Sequence, residues 1–149
     1  MAKGNGKKIA KHKASQTPDE KPAKQPHSRQ IPAGGISWRF SRADKGGPFA
    51  WSSLTDASDY KAVMERLHCF ETMSLEEIAK SGSHDIELGR LSKDAQQRLQ
   101  EIQQDDIDSL MSFRVTGPKR VFCIREREVM RVLWFDPDHQ VCPAPKKHT

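Results

Sequence analysis

The sequence predicts a small α+β domain in residues 36–149, preceded by a basic tail in residues 1–35. Three observations support this fold class. A segment that alternates apolar and polar residues opens the domain, segments with helical periodicity follow it, and three short strand-like runs end it. We expect an N-terminal strand, two or three helices and a three-stranded antiparallel meander, with the helices packed on one face of the sheet.

The tail in residues 1–35 carries the net positive charge of the chain. It holds 8 of the 25 Lys and Arg residues and 2 of the 20 Asp and Glu residues, so 17 basic and 18 acidic residues leave residues 36–149 close to neutral. A segment with so few large apolar residues cannot bury enough surface to offset the entropy lost on ordering. We therefore predict a disordered tail, which serves either as a solubilising linker or as a polybasic arm for nucleic acid.

Several classes of protein do not fit the composition. No apolar run of signal-peptide type follows the N-terminal lysines, and no window approaches the roughly 18 apolar residues of a membrane span. Cys69, Cys123 and Cys142 are an odd number without a C-x-x-C pair, which favours a reducing compartment. We expect a cytoplasmic protein with no membrane partner. Because the cysteines and histidines lack the spacing of zinc ligands, neither a metal site nor a cofactor is predicted.

The first strand and the first helix are predicted from the spacing of apolar residues. Ile36–Ser41 alternates apolar and polar residues, as a half-buried strand does. Thr55 or Asp56 can cap a helix whose apolar residues recur at spacings of three and four and therefore share one face. These apolar residues are Tyr60, Val63, Met64, Leu67 and Phe70.

Two further helices are predicted from capping signals. Ser74 and Glu77 have the spacing of a capping box, and Gly82 can end the short helix that follows them. Residues 82–89 are predicted to form a loop, after which Ser92 can cap a third helix. The buried face of this third helix is formed by Leu91, Ala95, Leu99 and Ile102.

The meander follows an acidic connector at residues 103–108. A four-residue first turn would pair Phe113 with Phe122, and a three-residue second turn would pair Phe122 with Val132. The three strands are predicted at Leu110–Thr116, Arg120–Arg125 and Val129–Asp136.

This register separates an apolar face from a cationic face. Arg114, Arg125 and Arg131 share the side of the sheet that the helices leave uncovered. A shift of one residue would bury Arg114 and Arg131, which costs free energy because each guanidinium would lose its water. The sequence therefore predicts that one face of the sheet is partly open and locally cationic.

The meander resembles that of the RelE/ParE/HigB-like toxin superfamily. The resemblance lies in Leu110–Ile124, followed by Val129–Leu133 and His139. The shared pattern is a strand ending in Arg114, a glycine-containing turn, a second strand opened by Arg120, a third apolar strand and a histidine-bearing tail. The order of strand, helices and meander also fits, so the resemblance implies a single RelE-like domain in residues 36–149.

The resemblance implies the toxin of a toxin–antitoxin system, a growth inhibitor that a small antitoxin protein neutralises. Many members of this superfamily are endoribonucleases that cut mRNA, often on the ribosome. They use the RNA 2′-hydroxyl as the nucleophile and need no metal. The expected partners are therefore a cognate antitoxin and mRNA, with the ribosome as a further one.

The candidate site residues come from this pattern and from the cationic face. Arg114, Arg131 and His139 are the candidate catalytic residues, because fixed guanidinium groups stabilise developing phosphate charge and histidine transfers protons near neutral pH. The candidate nucleic-acid-binding residues are Arg120, Arg125, Lys146, Lys147 and His148.

Structural interpretations of two of these positions, and of the neighbouring Asp136, stay open. His139 can be a turn histidine, and Asp136 can either orient it or start an Asx turn before Pro137. Arg120 lies opposite Trp134 in the predicted register, where it can form a cation–π contact or an edge salt bridge.

Two other functions also stay open. The only tyrosine is Tyr60, and the body is slightly acidic, whereas many nucleases of the superfamily have a C-terminal tyrosine and are basic. These differences favour a non-catalytic toxin of the same fold that binds a replication or topoisomerase protein. A phage or mobile-element protein that attaches to DNA through the basic tail is the remaining alternative.

Overall fold

The computed structural model describes residues 35–143, which form a five-stranded mixed sheet and three α-helices. The predicted α+β class is confirmed. Apart from Gly35, the predicted tail lies outside the described residues, as do Lys146, Lys147 and His148. None of the helices between residues 35 and 143 combines the length and apolar composition needed to cross a bilayer.

The sheet contains the predicted meander and two further strands. Its strands are β1 (Ser37–Arg39), β2 (His84–Glu87), β3 (Ser109–Thr116), β4 (Lys119–Glu126) and β5 (Val129–Asp136). They lie in the order β1-β5-β4-β3-β2, with β1 parallel to β5 and all other neighbours antiparallel. The prediction of a loop at residues 82–89 is wrong for β2, in which only Ile86 is buried and the apolar alternation is correspondingly weak.

The helices begin where the capping signals predict. They are α1 (Ala57–Glu71), α2 (Leu75–Lys80) and α3 (Lys93–Glu101). The side chains of Asp56 and Ser92 accept backbone N–H bonds at the starts of α1 and α3, and Ser74 forms the predicted capping box with Glu77. Tyr60 and Met64 are 47% and 57% exposed, so the buried face of α1 is narrower than predicted.

The predicted register of the meander is wrong by one residue. Thr116 pairs with Lys119 around a two-residue turn, and Arg114 pairs with Arg120, which leaves Val115 as an extra residue in a bulge. A second bulge lies in β5. There Phe122 pairs with Trp134 while the next residue, Cys123, pairs with Val132. Nothing in the apolar pattern alone marks a bulge, because both strands keep their β propensity.

Both faces of the sheet are covered, so the prediction of helices on one face only is wrong. We call the two sides the first face, under α1 and α2, and the second face, under α3. Four consecutive residues of β3, Leu110–Phe113, are all buried, as is typical of a strand covered on both sides. Core side chains of the first face are Val63, Leu67, Phe70, Ile78, Met111, Phe113, Val121, Cys123 and Val132. Those of the second face are Ile86, Leu91, Ala95, Leu99, Leu110, Phe122, Ile124, Leu133 and Trp134.

A buried ion pair attaches α3 to the segment that follows β1. Nε and Nη2 of Arg98 donate to the two carboxylate oxygens of Asp44, over 2.9 and 2.8 Å. Nε1 of Trp134 donates to the same carboxylate over 2.8 Å, and so does the backbone N–H of Gly46 over 3.0 Å. The Asp44 side chain is therefore fully paired, although only 2% of it is exposed.

Candidate functional site

A cleft with a volume of about 170 Å³ opens on the second face of the sheet. Its base is formed by β3 and β4, one wall by β2, and the other wall by the residues that follow β5. The lining residues are Gly82, His84, Ile86, Arg90, Ser112, Arg120, Phe122, His139, Cys142 and Pro143. The bottom is therefore partly apolar, while the rim carries arginine and histidine.

Two arginines lie side by side at this cleft. Arg114 and Arg120 are direct cross-strand partners on β3 and β4. The Arg114 side chain runs along the edge of the cleft, next to the lining residue Gly82. Its Cδ would lie 3.4 Å from a Cβ atom added to that glycine. Like charges directly opposite each other destabilise a sheet, which makes this pair a cost to the fold.

Two side chains bond the backbone of Arg114, which borders the β3 bulge. The N–H of Arg114 donates to Oγ of Ser83 over 3.0 Å, and Nε of Arg66 donates to the Arg114 carbonyl over 3.3 Å. Ser83 is fully buried. Because side chains satisfy both of these backbone groups, the backbone position of Arg114 is fixed by the structure around it.

Neither guanidinium of the pair forms an ion pair with a carboxylate in the described region. Arg120 donates only to backbone carbonyls, those of Gly117 at 2.6 Å and Lys119 at 3.0 Å. Within residues 35–143, no ion pair with a carboxylate involves Arg114 or Arg120. The pair therefore presents two positive charges with unused donors, which suits a bound oxyanion.

The surroundings of Arg120 disfavour its charge. Burial lowers the pKa of the Arg120 guanidinium, repulsion from Arg114 lowers it further, and attraction to Asp136 acts in the opposite direction. The group stays charged, because an arginine pKa starts above 12. A phosphate between the two arginines would relieve the repulsion and replace the water that Arg120 has lost.

The wall that carries His139 is held by a buried carboxylate. Asp136 is 1% exposed and accepts the backbone N–H groups of Gln140 and Val141, at 3.0 and 2.8 Å. It therefore organises the turn through residues four and five positions further on, whereas an Asx turn would use the N–H two positions on. His139 occupies the left-handed region at φ 58°, and the buried Val141 anchors the segment against α3 through a 2.8 Å bond from the Ser92 N–H.

The structure brings together some of the predicted site residues and separates others. Arg120 and His139 line the cleft, and Arg114 lies along its edge. Arg131 shares the second face with Arg114 but pairs with Ile124, four residues along β4 from Arg120, and forms an ion pair with Glu126. At the rise of a strand, that separation is about 13 Å.

Arg125 is also separated from the cleft. It is the strand partner of Met130, a core residue of the first face, and its Nη1 lies 3.6 Å from a carboxylate oxygen of Asp85. The predicted grouping of Arg125 with Arg114 on one face is therefore wrong, because the register differs by one residue.

Two cleft residues, His84 and Arg90, are not among the candidate site residues predicted from the sequence. His84 reaches the cleft from β2, and Arg90 lies in the 3-10 turn, Leu88–Arg90, that follows it. A signal did exist, because His84 and Ile86 have the two-residue spacing of side chains on one strand face. The charged residues Asp85 and Glu87 obscured it.

The cysteines and acids of the described region suggest no other centre. Between residues 35 and 143, no group of three or more His, Cys, Asp or Glu residues is arranged to hold a metal ion. Cys123 is fully buried, which raises the pKa of its thiol well above the ordinary value and makes the thiolate unfavourable.

The comparisons with known proteins add no assignment. No protein-family model matches the chain, and neither the curated proteins nor the solved structures contain a match to it. The cleft must therefore be interpreted from its own geometry.

Proposed function

We propose that this protein is an endoribonuclease that needs no metal and binds an RNA phosphodiester in the cleft on the second face. The observation that carries the proposal is the unneutralised cross-strand pair of Arg114 and Arg120 beside His139. Phosphate is the ligand that two adjacent guanidinium groups bind most readily, through charge-assisted bonds from both.

The arginine pair stabilises the transition state more than the bound substrate. When a nucleophile adds to a phosphodiester, negative charge accumulates on the oxygens around phosphorus. Donors that are already fixed in place stabilise this charge without reorganising during the reaction. The Arg120 guanidinium is tied to the carbonyls of the 117–119 turn, and Ser83 braces the backbone of Arg114 next to it, so both residues are positioned before substrate arrives.

His139 supplies the proton transfer that the arginines cannot. Guanidinium groups do not give up a proton in proteins, whereas histidine changes its charge between about pH 5 and 8. The resemblance of the meander to RelE/ParE/HigB-like toxins supports RNA as the substrate and the 2′-hydroxyl as the nucleophile. A cationic cleft repels divalent cations, which agrees with a reaction that relies on side chains alone.

The same resemblance supports a biological role as the toxin of a toxin–antitoxin system. In this role the protein is cytoplasmic and cleaves mRNA, either free or on the ribosome, and a small antitoxin protein blocks the cleft or the sheet around it. Growth stops because transcripts are lost.

The proposal is tested with purified protein and a labelled single-stranded RNA in buffer containing EDTA. The wild type is expected to cleave the RNA. Arg114→Ala is expected to lower kcat/KM by about 10²- to 10³-fold, the usual effect of removing one donor to a transition-state oxyanion. Circular dichroism checks that the variant is folded.

Two matched arginine variants sharpen this test. Arg39→Ala removes an exposed arginine of β1, and Arg131→Ala removes the one paired with Glu126. Both are expected to cleave like the wild type. Full activity of Arg114→Ala would contradict the proposal. Growth arrest with intact transcripts on induction in cells would instead support the non-catalytic toxin.

A further inference from the structure

A second histidine faces His139 across the cleft. His84 lies on β2, which forms one wall, and His139 lies after β5, in the opposite wall. Between them the strand partners Ser112 and Phe122 of β3 and β4 form the base of the cleft. A phosphodiester held at Arg120 would therefore have one histidine on each side.

The hydrogen bond of His84 fixes which of its nitrogens is available. Nδ1 of His84 lies 3.2 Å from the backbone carbonyl of Asp85, and a carbonyl oxygen can only accept. In the neutral ring, Nδ1 therefore carries the proton, and the lone pair is on Nε2. A neutral imidazole with a free Nε2 is the form that a general base requires.

Building on the nuclease function proposed above, we infer that His84 is a further catalytic residue and shares the proton transfers with His139. Nε2 of His84 takes the proton of the 2′-hydroxyl, and the O2′–P bond forms. The P–O5′ bond then breaks, and His139 donates its proton to O5′. The products are a 2′,3′-cyclic phosphate and a 5′-hydroxyl, with no redox change and no further reactant. Water later restores both protonation states.

The groups around the two histidines fit this division of roles. From the described elements, Arg90, Arg120 and Cys142 line the cleft with them, and Arg114 lies along its edge. The charged groups among these are all cationic, so they hold the phosphate between the histidines without offering a competing carboxylate base. The nearest buried acid, Asp136, is occupied by the N–H groups of Gln140 and Val141.

The inference is tested first by the pH dependence of kcat/KM for RNA cleavage. The wild type is expected to give a bell-shaped profile, because one histidine must be neutral and the other protonated. His84→Gln should lose the acidic limb and His139→Asn the alkaline limb, each with a loss of about 10²- to 10⁴-fold. Asparagine is chosen for residue 139 because it tolerates the positive φ of that position.

A second substrate then distinguishes the base from the acid. In a nucleoside 3′-(4-nitrophenyl phosphate), the leaving group departs without being protonated. His139→Asn should therefore cleave this ester at close to the wild-type rate, while His84→Gln stays impaired on both substrates. His68→Gln, which changes an exposed histidine of α1, is the control and should match the wild type throughout.

Each other outcome has a distinct meaning. The inference is overturned, and the nuclease function stands, if His84→Gln cleaves RNA at the wild-type rate. The same holds if His84→Gln, but not His139→Asn, cleaves the nitrophenyl ester at the wild-type rate. If the wild type cleaves neither substrate, the proposed function itself fails, and the inference fails with it.

Discussion

Arg98 and the pair of Arg114 and Arg120 all lie on the second-face side of the sheet, and they differ in their hydrogen-bond partners. Arg98 of α3 donates two bonds to Asp44, whose remaining acceptor capacity is used by Trp134 and Gly46. Arg114 and Arg120 face each other with no carboxylate contact inside the described region. Arg98 therefore has a carboxylate partner within the fold, whereas Arg114 and Arg120 have none inside the described region.

The pKa values of the two groups move in opposite directions. The hydrogen bonds that Arg98 donates to Asp44 and Glu101 raise its pKa, so the fold favours its charge. Burial and the neighbouring Arg114 lower the pKa of Arg120, so the fold disfavours its charge. The surroundings of Arg98 therefore favour its charge and stabilise the fold, whereas Arg120 is kept at some cost to stability, as the proposed phosphate binding requires.

The largest expected effect is the difference in stability between two single alanine variants, one at Arg98 and one at Arg114. Arg98→Ala leaves the carboxylate of Asp44 buried without its cation and should lower the free energy of unfolding by about 3–5 kcal/mol. Arg114→Ala removes an exposed side chain and a repulsion, so its effect should stay within about 0.5 kcal/mol. Urea denaturation of both variants at neutral pH measures the difference. Equal destabilisation would contradict the contrast between the two arginines.

An intermediate effect is expected on acidification. Burial acts to raise the pKa of Asp44, but the bonds from Arg98, Trp134 and Gly46 outweigh it and hold the pKa below the ordinary 3.8. The unfolded chain therefore binds this proton first as the pH falls. The stability from Asp44 is fully present above about pH 4 and is lost as the pH falls through the lower, folded-state pKa.

Asp44→Asn isolates this contribution. Its free energy of unfolding should be lower than that of the wild type at pH 7, and the gap should narrow toward pH 2. Comparing urea curves at both pH values cancels the other acids, such as Glu77 and Glu126, whose pKa values are also lowered. A constant gap would show that Asp44 is not the titrating group.

The smallest effect is expected from inorganic phosphate. If phosphate occupies the arginine pair, it should stabilise the wild type by about 1.4 kcal/mol at a concentration ten times its Kd. The double variant Arg114→Ala/Arg120→Gln should lose this increment but keep any general salt effect, which makes it the control. An unchanged increment in the double variant would remove the cleft as the binding site.

The elements of the fold were predictable where their signals are local. The caps at Asp56, Ser74 and Ser92 depend on residues within one turn, and all three helices begin there. The face on which α3 packs is not a local property. Its periodicity predicts a buried side but does not say against which face of the sheet that side lies.

The candidate site was predictable only in part for the same reason. The pattern of the meander identified Arg114, Arg120 and His139, but the proximity of the two arginines depends on the bulge at Val115. If Val115 were paired in a regular ladder instead, Arg120 would lie opposite it, on the first face of the sheet. His84 was missed because β2 is a four-residue strand with a single buried side chain. Such an edge strand is recognised from its pairing with β3, and the sequence of β2 alone does not reveal that pairing.

The extra residue in β5 has a consequence for how that strand can change. Successive side chains point to alternate faces, so the bulge decides that Phe135 enters the first face and that Asp136 stands beside Arg120. If Leu133 were paired in a regular ladder instead, the two would be exchanged, which would place a carboxylate under α1 and free the segment that carries His139. Removing Leu133 would leave both residues on their present faces, so it is the number of paired residues, not the length of the strand, that keeps the cleft intact.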